Sequence, residues 1–464
     1  VVNVGLSLFA DAIREQGAPV ISVDWRVPAG GQPDAVAALG RLYGVHAERI
    51  EAANAEVLRR LDGGTPLLTG VTTAAAAIPG LFDGLKGAGR TLLHCGPAIG
   101  YADAPDPLQR SMRAAAVAEG WADTLERADG MLAADEIGLA PANEHAVVVP
   151  MATALGPSAP LYVVENQAGG TTGYAPISQG PGEVAWFGVA SEASVARLVF
   201  LRDVAAPVIG RILDRSGPLD VLSLAAQAVA MGDDVHVRTQ AATNLLIRAW
   251  LPHLTELGGP DGVAFARFLS ANHLFFLTLA MAAARSLTEW AAQVADASIV
   301  TTMARNGTTF GIRLPGSDRW FTADAPEVGH ALYYPGQGAE TSARDIGDSA
   351  VLELSGLGAA AAAGSPAVAQ LLGGDLREAA GLTARLAAVC AGRSSRFKIP
   401  ALDNAGTPLG VDVRKVVELG ITPAVTTGIL HLSAGTGQVG AGVAEAPLSC
   451  FAAALADLDH RLSA

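Results

Sequence analysis

The sequence predicts a multidomain protein of α/β and α+β type. It would have a small Rossmann-like β-α-β start, two mixed α/β domains, and a helical domain inserted between them. Three observations carry this expectation. A chain of 464 residues has length for roughly three domains. Half of its residues are apolar and 16% are charged, so large cores can form. Strand-like and helical runs alternate on both sides of a stretch, about 191–295, in which helical periodicity dominates. The expected boundaries are 1–62 for the β-α-β region, 63–185 for the first α/β domain, 186–297 for the helical domain and 298–464 for the C-terminal α/β domain.

In chain order, 1–6 and 19–24 read as short strands around an amphipathic helix at 7–16, closed by the loop Pro28-Ala29-Gly30-Gly31. Asn3-Val4-Gly5 follows a strand without the G-x-G-x-x-G spacing that a dinucleotide site needs. Residues 35–61 are helical in composition and lead into a strand-like run at 66–73. Further strands are expected at 91–94, 146–151 and 161–165, with a helix at 107–121. Helices are expected at 194–213, 235–257 and 263–284. Strands then return at 298–304, 308–314, 350–354 and 425–432, with helices at 359–372, 376–390 and 447–461.

Composition excludes several classes of function. The formal charge is −14, from 31 basic and 45 acidic residues, and no basic cluster is longer than the short stretch from Arg393 to Lys398. That is a poor footprint for nucleic acid. Cys95, Cys390 and Cys450 are far apart and odd in number, which argues against a disulfide framework or a zinc site and for buried thiols. Mean hydropathy is +0.33, yet the long uncharged stretches 146–164 and 355–374 are interrupted by proline, so no transmembrane helix is expected. The N-terminus meets acids early and lacks a basic start. The expectation is a cytoplasmic protein without membrane or nucleic-acid partners, and without a cofactor or metal.

Three polar constellations stand out. In 298–322 the dipeptide Asn306-Gly307 is a hairpin signal between two apolar runs, which sets Arg305 and Asn306 at a turn. A guanidinium fork beside an amide suits a carboxylate or phosphate, although the same residues also serve a plain turn with a solvated flank. The run Met231-Gly232-Asp233-Asp234 with His236 and Arg238 crowds ionisable groups at a predicted helix start. Asp233 or Asp234 can cap that helix, or either can orient His236 as a general acid or base. A metal reading of Asp233, Asp234 and His236 lacks a distant ligand of convincing spacing. The third is Thr426-Thr427-Gly428 to His431, followed by Gly435, Gly437, Gln438, Gly440 and Gly442. Dense glycine serves either an anion-cradling loop or a tight packing bend.

These motifs, in their order along the chain, resemble the YahG/YlbE-like family. The resemblance rests on the MGDD-x-H-x-R run, the Arg305-Asn306-Gly307 hairpin, Arg319-Trp320-Phe321-Thr322, Gly347-Asp348-Ser349, and Thr427-Gly428-Ile429-x-His431. It rests also on Leu93-His94-x-Gly96-Pro97, Glu119-Gly120-Trp121, Val164-Glu165-Asn166 and Arg202-Asp203-Val204, and it covers the chain from about residue 50 onward. The resemblance implies a relation to the large subunit of an oxamate carbamoyltransferase, which converts oxalurate and phosphate to oxamate and carbamoyl phosphate in allantoin breakdown. It also implies an acyl-CoA-synthetase-like partner subunit. The Ser-Thr-Arg-Thr helix start of ordinary carbamoyltransferases is absent from the sequence.

The expected catalytic residues are therefore His236, Asp233 and Asp234. The expected ligands of a small anionic substrate (oxalurate or oxamate, phosphate or carbamoyl phosphate) are Arg305, Asn306, Arg238, Asn166, His431, Gly435, Gly437 and Gly440. A homo-oligomer is expected, because two strands of a β-α-β start are too few to stand alone. Two other readings stand beside the enzyme: a non-catalytic assembly subunit, and another amide or acyl-phosphate enzyme on the same scaffold.

Overall fold

A computed structural model describes residues 1–4, 6–23, 27–83 and 89–464. Among the described residues it contains 17 α-helices and six small sheets of mixed type, an α/β and α+β architecture with no closed barrel. The N-terminal strands Val2–Val4 and Ile21–Val23 pair in parallel around the helix Ser7–Glu15. Gly5 and the end of the second expected strand, Asp24, lie outside the described residues, as do Trp25 and Arg26. Residues 35–61 form two helices, Pro33–Leu42 and Ala47–Gly63, with the break at Tyr43-Gly44. In the second, Ile50, Asn54, Val57 and Leu61 face inward at helical spacing.

The centre of the molecule is the helix Phe275–Ala291, of which every residue except Glu289 is buried. Burial of its aromatic and leucine side chains stabilises by about 1.5–3 kcal/mol each. It crosses the four-stranded sheet Thr171–Pro176, Pro160–Asn166, Pro66–Thr73 and Leu219–Asp220, and it packs on Ala47–Gly63. The helix Gly259–Ala271 precedes it at an 86° bend. No single helix among the described residues is long and apolar enough to cross a membrane.

Several expectations fail locally, each for a physical reason. The run 146–151 is not a strand. Ala146 and Met151 have positive φ (57° and 51°), and the segment makes one bridge to Tyr174 and another to Gly347. Residues 350–354 form a helical turn, Val351–Leu354, because an apolar run of this length carries no period of its own. The expected helix 235–257 begins only at Gln240, after a loop that holds the acidic cluster. Its partner 263–284 is two helices broken at Asn272. The expected helix 194–213 is Glu192–Phe200 and Ala206–Ser216, joined by a π-turn at Leu201–Ala205. That turn absorbs Pro207, which cannot donate to the helical ladder.

The hairpin is present: Thr302–Asn306 pairs with Thr309–Arg313, flanked by Phe321–Asp324 and Ile346–Gly347. A further sheet runs Val328–Tyr333, Gln438–Glu445, Ala424–Leu430, so the glycine-rich segment is largely strand. The antiparallel ribbon Cys390–Ile399 with Ala405–Val411 completes the C-terminal half.

Candidate functional site

The loop 231–239 folds around its own acids. Asp234 is fully buried; its Oδ1 accepts the backbone N–H groups of His236 (3.2 Å) and Arg238 (2.8 Å), and its Oδ2 accepts those of Val237 and the Thr426 hydroxyl. Asp233 Oδ2 accepts the Ala242 N–H at 2.9 Å, in the first turn of the helix Gln240–Leu257. Arg238 lies 3.4 Å from the other Asp233 oxygen and donates to the Gly232 carbonyl at 2.8 Å. Both carboxyls are thus held by the chain that carries them. Burial raises the Asp233 pKa to about 6 against the pull of the Ala242 and Ala241 N–H groups. Burial also raises Asp234.

His236 takes a different partner from the one expected. Its Nδ1 meets Glu353 Oε1 at 2.8 Å, and neither Asp233 nor Asp234 touches the ring. Glu353 is fully buried, and the same oxygen accepts the N–H groups of Ala359 and Thr426 and the Thr426 hydroxyl. Oε1 already accepts two backbone N–H groups, so it meets the imidazole as an acceptor and the ring proton facing it lies on Nδ1. Glu353 Oε2 has no partner among the described residues.

Arg305 is not at an open tip. It is fully buried, donating from Nε and Nη2 to Asp345 (2.7 and 2.8 Å) and from Nη1 to the Gly347 carbonyl (2.7 Å). Burial works to lower its pKa, but Asp345 outweighs it and the net direction is up. Asn306 is equally committed. Its Nδ2 donates to the Pro97 carbonyl, and its Oδ1 accepts from Thr308 and Thr309. Thr426 and Thr427 stand side by side on Ala424–Leu430, one reaching Asp234 and Glu353, the other Asp345 at 3.0 Å. Asp348 accepts the N–H groups of Gly96 (2.8 Å) and Val149 (3.0 Å), and burial nevertheless lifts its pKa to about 7. Gly347 has φ 115°, and a Cβ there would lie 2.4 Å from the Met151 nitrogen, so only glycine lets these segments meet.

The His236 ring forms part of the wall of a cavity of about 60 Å³. The other walls include Pro150, Met151, Trp186, Phe187, Leu274, Leu277, Ser349, Gly428 and Gln438. Trp186 is buried and its indole N–H has no acceptor among the described residues. Leaving a buried donor unpaired costs about 1–3 kcal/mol, so an acceptor on a bound molecule would stabilise it. Met151 and Val235, at φ 51° and 59°, place left-handed backbone beside this cavity, as functional sites commonly do. The arrangement brings an imidazole held by a carboxylate and a mostly apolar lining of Met151, Phe187 and the two leucines to one cavity.

The remaining expected residues lie elsewhere or serve the backbone. Asn166 sits at the turn between Pro160–Asn166 and Thr171–Pro176, where its Oδ1 accepts the Thr65 N–H at 2.9 Å. His431 Nδ1 accepts the N–H groups of Ser433 and Ala434, closing a turn. Gly435 abuts Arg110, Gly437 has positive φ, and a Cβ on Gly440 would lie 2.5 Å from the Leu332 carbonyl. These glycines stand at a turn and in close strand packing. Sequence reasoning missed Glu353, Asp345 and Trp186. A lone glutamate inside an apolar run, Val351-Leu352-Glu353-Leu354, was a usable signal, because a buried acid needs partners.

Fold and site define a multidomain α/β protein with a buried carboxylate–imidazole pair beside a small cavity. A family model described as oxamate carbamoyltransferase subunit AllG matches residues 137–349. Over 459 residues the chain is 32% identical to the uncharacterized protein YahG of Escherichia coli (strain K12), covering 98% of this chain and 96% of that protein. It is 36% identical over 412 residues to oxamate carbamoyltransferase subunit AllG of the same organism, covering 88% and 97%. A crystal structure of a conserved protein of unknown function from Enterococcus faecalis V583 matches with TM-score 0.84 at 32% identity, covering 89% of this chain and 98% of that one. The chain belongs to the family of YahG and AllG.

Proposed function

We propose that this chain is the carbamoyl-transferring subunit of an AllG-type assembly, acting on oxalurate and phosphate to give oxamate and carbamoyl phosphate. The observation that carries the reading is the His236–Glu353 pair, with Nδ1 held at 2.8 Å, beside a cavity that His236 and Trp186 both line, the Trp186 indole N–H being without an acceptor among the described residues. In this reading a phosphate oxygen attacks the ureido carbonyl carbon of oxalurate, and the bond from that carbon to the inner nitrogen breaks. His236 Nε2 takes the phosphate proton and gives one to the departing oxamate nitrogen, while Glu353 stabilises the imidazolium between the two steps. Trp186 Nε1 donates to the carbonyl oxygen as negative charge develops there. Arg305, Asp345 and Asp348 act as positioning residues that hold Gly347 and Ser349 against the cavity.

The family match supports a place within an assembly, since AllG is described as a subunit. The N-terminal unit fits such a role: Leu6, Leu8 and Phe9 expose apolar side chains at 68%, 70% and 60%. A synthetase-like partner subunit, a second copy of this chain, or both would cover them, and a cytoplasmic location fits chemistry on soluble metabolites. The test is the formation of carbamoyl phosphate from oxalurate and phosphate, measured on the chain alone and on the chain purified with its genomic neighbours. Formation in either preparation, lost in His236→Asn, supports the proposal. No formation in either preparation overturns it.

A further inference from the structure

A second cavity, of about 470 Å³, lies between the C-terminal half of helix Phe275–Ala291 and the base of the Thr302–Asn306/Thr309–Arg313 hairpin. It shares no lining residue with the His236 cavity and is reached from the exposed turn at Gly316 and Asp318. Its walls are mostly polar, and two of them are guanidinium groups, those of Arg285 and Arg313. Arg285 is 4% exposed, held there because its helix is buried on all sides. Its Nη2 donates to the Asn143 carbonyl at 2.7 Å, its Nη1 reaches the Thr302 hydroxyl at 3.4 Å, and it pairs with Glu289 at the mouth. Its buried Nε has no acceptor among the described residues.

The lining carries acids as well. Glu289 is the Arg285 partner, Glu144 accepts the Trp320 indole N–H at 3.2 Å, and Asp318, bound to Arg313 at 3.0 Å, is fully exposed. Two cations against three carboxylates make a poor receptor for a bare inorganic anion. They suit a molecule with an acceptor end and an N–H end. We propose that this cavity binds a small carboxylate that also bears an amide or amino group. The carboxylate would lie on Arg285 Nε and the Arg313 fork, and the N–H groups on Glu289 or Glu144. The inference does not depend on the reaction assigned to the His236 cavity.

Titration calorimetry with oxamate, the smallest amide-bearing carboxylate, on the full chain tests it, with inorganic phosphate as the comparison ligand. Oxamate is expected to bind at millimolar concentration or better and more tightly than phosphate. Arg313→Gln should weaken this event at least tenfold, while any separate oxamate event at the His236 cavity keeps its affinity. Arg313 is on the rim, so its variant is expected to fold even if Arg285→Lys does not. Absence of oxamate binding at millimolar concentration, phosphate binding that matches or exceeds it, or binding abolished by His236→Gln and untouched by Arg313→Gln would each overturn the assignment.

Discussion

Arg305 and Asp345 are both fully buried and face each other as a bidentate pair, Nε to Oδ2 at 2.7 Å and Nη2 to Oδ1 at 2.8 Å. The pair ties the hairpin to the strand Ile346–Gly347 through the Gly347 carbonyl, and to Ala424–Leu430 through Thr427. Its removal from one side only would strand a carboxylate in the interior.

Arg305→Met is accordingly expected to destabilise the chain by about 3–5 kcal/mol, and Arg305→Lys by less, since the charge stays while the fork is lost. Urea unfolding measures both. An Arg305→Met protein as stable as the parent would show that the pair contributes nothing to folding.

Sequence reasoning located the Arg305-Asn306-Gly307 hairpin but read its arginine as facing outward. Turn chemistry is local, whereas the burial of Arg305 depends on Asp345, Gly347 and Thr427 arriving from 40 to 122 residues away. The same limit explains His236. The sequence supplied the imidazole, and its neighbours Asp233 and Asp234 were the natural orienting acids. Asp234 is taken up mainly by the N–H groups of its own loop and Asp233 by the helix that follows, and the orienting acid comes from Glu353, 117 residues on. The β-α-β start, the hairpin and the helical stretch were legible because their periodicity is local. The strands Cys390–Ile399 and Gln438–Glu445, rich in charge or glycine, were not.

Asp233 caps the helix Gln240–Leu257 at a distance, through Ala242. Asp233→Ala should therefore cost about 1 kcal/mol of stability and leave turnover near that of the parent. Parallel thermal melts and rate measurements decide the point. A hundredfold loss of rate with an unchanged melt would place Asp233 in the chemistry instead.

Asp348 gives the protein a pH dependence of definite sign. Burial, opposed by the Gly96 and Val149 N–H groups, Arg305 and Asn143, raises its pKa from 3.8 to about 7. Between those values the folded state holds a proton that the unfolded state has released. Its contribution is thus fully present below pH 3.8 and is lost as pH rises through about 7. Asp233, raised to about 6, adds in the same direction. The Asp348→Asn protein, whatever its absolute stability, should show a shallower fall in unfolding free energy from pH 4.5 to 7.5 in urea titrations. An unchanged slope would remove Asp348 as the source.

The N-terminal unit is expected to make the chain at least dimeric at micromolar concentration, because a two-stranded sheet with Leu8 and Phe9 exposed is incomplete alone. Light scattering after size exclusion should report two or more chains, and Phe9→Glu should lower that mass. A monomeric parent protein would contradict this.

In the proposed carbamoyl transfer, His236, oriented by Glu353, moves the proton. The most direct test is the steady-state rate of carbamoyl phosphate formation from oxalurate and phosphate by the complete assembly carrying His236→Asn, with thermal stability followed alongside. The expected outcome is a fall of about 100-fold or more in kcat with a melting temperature close to that of the parent. A His236→Asn assembly that is folded and turns over at the parental rate would contradict it.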